Sequence, residues 1–103
     1  MKIVYRPAAI DDIRSAADYI EFTLKNPSAA ARFKQRILSG ISLLKDNPLM
    51  GQLLSDKYES VKTDHRFIII NKHFVFYLID GDVIEIDRVI DGRTDYMTHL
   101  FGE

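Results

Sequence analysis

From His65 to Arg93 the chain runs His-Arg-Phe-Ile-Ile-Ile, Asn-Lys, His-Phe-Val-Phe-Tyr-Leu-Ile, Asp-Gly, Asp-Val-Ile-Glu-Ile-Asp-Arg-Val-Ile, Asp-Gly-Arg. Three apolar runs, rich in β-branched and aromatic residues, are parted by Asn71-Lys72 and Asp80-Gly81. Asp-Gly between such runs is a strong hairpin signal, because a tight primed turn needs positive φ at its centre. Asn-Lys is a weaker one, since only Asn tolerates that region cheaply. The pattern predicts an antiparallel meander of three strands. A two-residue Asp80-Gly81 turn sets Ile79, Tyr77 and Val75 opposite Asp82, Ile84 and Ile86, all on one face. The other face then carries Phe74, Phe76, Leu78 and Val83 beside Glu85 and Asp87. It is too apolar to be left to water. Either the tail, Thr94 to Phe101, or a partner protein is expected to cover it.

Ahead of the meander the period changes. Lys2 to Arg6 alternates and predicts a short strand, which Pro7 ends while pre-setting φ for a helix. Over Ala8–Leu24, Ile13, Ala16, Ala17, Ile20 and Leu24 recur at helical spacing. Asp11, Asp12, Arg14, Asp18 and Glu21 take the other side, with acidic residues crowding the first turns as the helix dipole favours. Asn26-Pro27-Ser28 breaks this helix and caps the next. That helix is expected from about Ser28 to Asp46, with Ala30, Phe33, Ile37, Ile41 and Leu44 as its stripe and Arg32, Lys34, Gln35, Arg36 and Lys45 outward. Asn47-Pro48 stops it. Two amphipathic helices joined by a short connection form an αα-hairpin, the natural cover for one sheet face. Leu49 to Asp64 receives no element. Leu53 and Leu54 are expected to anchor it, and Tyr58, Lys62 and Asp64 to be exposed. The fold class is α+β: N-terminal strand, helical hairpin on an antiparallel meander, short helical tail.

Composition narrows the functional classes. At 103 residues, 47% of them hydrophobic and 28% charged, residues 1–103 are expected to form one domain. With no cysteine, there is no disulfide framework and no thiolate metal site. No apolar run approaches the ~18 residues of a membrane span, and the opening Met1 to Arg6 turns polar too soon for a signal peptide. The cytoplasm is the expected location, with no membrane partner. A net charge of −1 is not that of a strong non-specific nucleic-acid binder.

Candidate chemistry is sparse. There is no phosphate loop, nucleophile elbow or His-x-x-x-His pair. His65, His73 and His99 are too scattered for a metal site, and no cofactor is expected. Arg88 falls on the same parity as the apolar Ile84, Ile86 and Ile90, where a guanidinium needs a partner. An internal salt bridge, to a neighbour of Asp87 or to a helix carboxylate, is the first expectation, and a phosphate or an acidic partner the second. Arg66 opens a strand, and Arg93 follows the Asp91-Gly92 turn. With Lys72, His73 and His99 they can converge at one end of the sheet.

The order and spacing of several pieces resemble the RelE/ParE superfamily of bacterial toxin–antitoxin toxins. These are Pro7-Ala8-Ala9-Ile10-Asp11-Asp12-Ile13 leading to Tyr19-Ile20, Asn47-Pro48 with Gly51, Arg66, Phe76-Tyr77, and Arg88-Val89-Ile90-Asp91-Gly92-Arg93 followed by Asp95-Tyr96 and Leu100-Phe101. The resemblance implies a growth-inhibiting toxin neutralised by a cognate antitoxin. RelE-like members are ribosome-dependent nucleases of messenger RNA, and ParE-like members poison DNA gyrase. In the nuclease branch an Arg usually begins the third strand and lysines line the second. Here those places hold Phe74 and Phe67-Ile68-Ile69-Ile70, so the resemblance implies the ParE-like activity. The nuclease alternative would rest on Arg66, Arg93, Tyr96 and His99, with ribosome and messenger RNA as partners. A third reading is an inert or regulatory binding module of the same fold. The antitoxin is expected on the uncovered sheet face, at Phe74, Phe76, Leu78, Arg66, Arg88 and Arg93.

Overall fold

The structure, a computed structural model, describes residues 1–101. The elements are β1 (Lys2–Tyr5), α1 (Pro7–Asp18), α2 (Pro27–Ser42), β2 (Gln52–Leu53), α3 (Leu54–Lys57), β3 (Arg66–Ile70), β4 (His73–Asp80), β5 (Val83–Asp91) and α4 (Tyr96–Phe101). The meander is β3-β4-β5. Its first turn places both Asn71 and Lys72 at positive φ, and Ile70 pairs with His73. The second turn lies one residue further on than expected, which shifts the pairing register by two. Asp80 pairs with Val83, so Gly81-Asp82 form the turn, and Ile79 and Tyr77 face Ile84 and Ile86. Gly81 sits at φ +61°, a conformation that costs glycine little. A shift of two keeps side-chain parity, so both predicted faces survive it.

A β-bulge then changes the parity. Tyr77 faces Ile86 but Phe76 faces Arg88, which leaves Asp87 as an extra residue in β5. Beyond it Val89 joins Val75 on the helical face, while Arg88 and Ile90 turn to the face of Phe76 and Phe74. The bulge lifts the arginine off the apolar parity that simple alternation gave it.

β1 adds parallel to β5, with Ile3 opposite Ile84 and Tyr5 opposite Ile86, and the sheet order is β1-β5-β4-β3-β2. Where β1 stops, the edge of β5 is met by Asp12, whose carboxylate accepts the Val89 N–H at 2.9 Å. α1 begins at Pro7, so Asp11 and Asp12 lie more than a turn inside it and not at its dipole end, as the sequence had indicated. It ends earlier than expected, in a π-helical turn over Tyr19–Thr23. α2 is capped by Asn26, whose side chain accepts from Ala29 N–H, with Pro27 in the first turn. A 3-10 turn, Leu43–Lys45, carries Leu44 into the core.

Two cores flank the sheet. On the helical side Ala9, Ile13, Ala17, Phe33, Ile37, Ile41 and Leu44 pack on Val75, Tyr77, Ile84, Ile86 and Val89. On the other, Phe67, Phe76 and Ile90 are buried with Leu54 and Tyr96, and Tyr58, Phe74, Met97 and Leu100 pack against them. Tyr58 is therefore half-buried, contrary to its expected exposure. The loop after α2 is held by Tyr77, whose hydroxyl donates to Pro48 C=O (2.8 Å) and accepts from Gly51 N–H (2.9 Å). A Cβ at Gly51 would collide with that hydroxyl, which makes glycine the fitting residue there.

Candidate partner-binding site

The face expected to lie open to a partner is closed by the chain itself. Phe76 is fully buried. Phe74 stacks on Phe67 (centroids 5.3 Å, planes 15° apart) and on Tyr96 (4.7 Å, 23°). Leu78 is half-buried. The short α3 and α4 supply the cover, and α3 falls in the stretch where periodicity predicted no element. The exposed Phe76 anchor is thus corrected: its ring is core, because Leu54 and Tyr96 cluster with it.

The arginines separate. Arg88 makes a two-pronged ion pair with Asp12, Nε to Oδ2 at 2.7 Å and Nη2 to Oδ1 at 2.8 Å, and its Nη1 donates to His99 C=O at 2.9 Å. The hydrogen bond to Asp12 raises the guanidinium pKa above its ordinary value. Of the internal partners expected for Arg88, the helix carboxylate is the one observed. Arg66 donates to Gly51 C=O at 2.8 Å and so serves the loop that Tyr77 holds. Arg93 is exposed and grips Asp91 through Nη2–Oδ2 (2.6 Å) and Nε–Oδ1 (3.0 Å). That grip holds the Asp91 carboxyl well below the usual carboxylate range.

An open cleft of about 490 Å³ brings Arg88, Arg93, His73 and His99 together with Asp12, Asp91, Tyr19, Ile20 and Leu24. Arg66, Tyr96 and the Phe74–Leu78 residues are not among its lining. Of the four residues the nuclease alternative needs, only Arg93 and His99 reach the cleft; Tyr96 is buried, its hydroxyl 2.5 Å from that of Tyr58. His65 is taken up elsewhere, with Nε2 2.8 Å from Asp87 Oδ2 and Nδ1 2.7 Å from Thr63. Sequence reasoning missed the contribution of Tyr19 and Leu24. Their exposure follows from the π-turn, which interrupts the periodicity that had placed Leu24 on the stripe.

A second groove, of about 320 Å³, lies between β1 and the helical hairpin. Tyr5, Ile10, Ile13 and Leu38 line it, with Arg14, Asp18 and Lys34 among its charged residues. Ile10 and Leu38 are 42% and 47% exposed. Beside it β1 is an edge strand, with no strand beyond it among the described residues. The exposed face of α2 carries Arg32, Lys34 and Arg36 and no carboxylate.

A five-stranded mixed sheet with a helical hairpin on one face and a short C-terminal helix on the other defines the class, a RelE/ParE-type toxin fold. Among the described residues no cluster of His, Cys, Asp or Glu is fit to hold a metal, and no helix is long and apolar enough to cross a membrane. A family model for the ParE toxin of the type II toxin–antitoxin system, parDE, matches residues 3–96, and the chain belongs to that family. Among solved structures it is similar to a chain from the chromosomal ParDE toxin–antitoxin system of P. aeruginosa. That match has a TM-score of 0.73 and 18% sequence identity, and covers 88% of this chain and 95% of the other. A search of curated proteins finds no match. The protein is a type II toxin, and membership implies a cognate antitoxin as its partner.

Proposed function

We propose that this toxin acts on DNA gyrase. The observation that carries the reading is Phe74. It stands at the start of a strand where the nuclease branch of the superfamily would use an arginine, and here it is stacked on Phe67 and on Tyr96. An apolar ring does not stabilise the anionic charge that develops at a phosphate under attack. The expected result is inhibition of supercoiling by purified gyrase, with accumulation of cleaved DNA, and no cleavage of messenger RNA in a translation extract. Fresh cuts at ribosomal A-site codons, mapped by primer extension, would instead establish the nuclease reading and turn attention to Arg93 and His99. Unimpaired growth at high soluble expression would leave the inert binding module.

Silencing fits the β1–hairpin groove better than the closed sheet face. Its exposed Ile10 and Leu38 offer apolar anchor sites, and the basic face of α2 favours acidic residues. An antitoxin segment disordered on its own, acidic and amphipathic, would fold there as a helix or as a strand added to β1. Apolar anchors would supply most of the affinity, and charge the orientation and association rate.

A further inference from the structure

Lys57, the last residue of α3, projects its ammonium over the second core. Its Nζ lies 4.8 Å from the ring centroid of Phe74, 5.3 Å from Phe67, 5.7 Å from Tyr58 and 5.8 Å from Tyr96. Among the described residues no carboxylate is within ion-pairing distance of it. The rings are therefore its electrostatic partners. An aromatic face attracts a cation through its quadrupole within about 6 Å of the centroid, and all four distances fall inside that range. The rings brace one another: Phe74 stacks on both Phe67 and Tyr96, and the Tyr58 and Tyr96 hydroxyls are hydrogen-bonded. Two belong to neighbouring strands β3 and β4, one follows α3 and one opens α4.

This matters most for α4. It is six residues long, too short to persist as a helix by itself. Its attachments are Tyr96, Met97 and Leu100 against the second core, the Arg88 bond to His99 C=O, and Phe101 edge-on to His65. Tyr96 is its most buried residue and part of the ring cluster.

We propose that Tyr58, Phe67, Phe74 and Tyr96 form an ammonium-binding box, that Lys57 is its built-in ligand, and that occupancy of the box clasps α4 to the sheet. Once vacated, the box takes another alkylammonium group of similar size. Loss of the cation weakens the clasp without emptying the apolar core, since the rings still pack.

Hydrogen–deuterium exchange on the full chain tests this, comparing wild type, Lys57→Met and Lys57→Arg. Methionine keeps an unbranched apolar stem and removes the charge; arginine keeps the charge. Exchange in α4 is expected to run ~2- to 5-fold faster in Lys57→Met, the range an exposed cation–π contact supports. Lys57→Arg should stay near wild type, and α1 and α2 should be unchanged in both. Tetramethylammonium chloride should restore α4 protection in Lys57→Met, and sodium chloride at equal concentration should not. Wild-type exchange in Lys57→Met would overturn the proposal. So would equal acceleration in Lys57→Arg, acceleration spread over α1 and α2, or rescue by sodium chloride as effective as by tetramethylammonium.

Discussion

Asp12 shows how much one side chain can hold together. Its carboxylate takes two hydrogen bonds from Arg88 and one from the Val89 backbone, so α1, β5 and, through Arg88, α4 meet at a single group. Removing it strands a half-buried guanidinium and a backbone donor, and both are costly to leave unpaired. Asp12→Ala is expected to lower stability by ~2–4 kcal/mol, read as a shift of the urea midpoint at constant m. Arg93 and Asp91 give a milder, pH-dependent case. The bond from Arg93 depresses the folded-state pKa of Asp91. The stabilisation is thus fully present above the unfolded value of ~3.9 and is lost as pH falls through the lower folded value. Arg93→Ala should melt below wild type at neutral pH, and the gap should close progressively on acidification below about pH 4. A constant gap from pH 7 to pH 2 would mean that the pair does not set the titration. Because Arg93 is largely exposed, solvent screening keeps the effect small.

Among the elements, α2 needed little beyond its sequence. Its stripe of Ala30, Phe33, Ile37 and Ile41 is buried as the 3.6-residue period requires. Ile37→Ala should cost ~2–5 kcal/mol, as truncations in closed cores do, because Ile37 is fully buried against the sheet; an unchanged melting curve would refute this packing. β5 behaved differently. Alternation alone puts Arg88 with Ile84 and Ile86, and one extra residue at Asp87 reverses every position after it. A bulge has no local composition that marks it here. Its cause lies in the neighbours, since Arg88 meets Asp12 and Val89 meets Val75 only with the extra residue in place. α3 was missed for a related reason. Four residues are about one turn, too short for a periodic signal, and only Leu54 and Tyr58 reaching the second core give the segment its place.

For the whole molecule, the second core changes what a partner can reach. Phe76→Ala, which a purely sequence-based view would assign to loss of antitoxin binding, should instead destabilise the toxin by ~3–5 kcal/mol, because the ring is fully buried. Leu38→Glu is the complementary substitution. The side chain is exposed at the β1–hairpin groove, so the fold should survive while antitoxin affinity falls at least tenfold, a loss of about 1.4 kcal/mol or more. Calorimetric titration of the two folded variants separates the cases. Wild-type affinity in Leu38→Glu would move the antitoxin off this groove, with the Arg93 cleft as the next surface to probe.

The chain's own pattern determined the three-strand meander, the helical hairpin, the parity of the faces next to the Gly81 turn and the toxin family, because each depends on local periodicity, turn chemistry or motif order. Tertiary structure alone decided the bulge at Asp87, the cover over Phe76 and the pairing of Arg88 with Asp12. These join positions far apart in sequence, such as Asp12 with Arg88 and Tyr58 with Tyr96. Periodicity describes which side of an element is apolar; it carries no information about which distant residue arrives to bury it or to satisfy its charge. The candidate site follows the same division. Arg93 and His99 were legible as candidates, but the cleft that gathers them with Tyr19 and Leu24 exists only once α1, β5 and the segment leading into α4 are packed together.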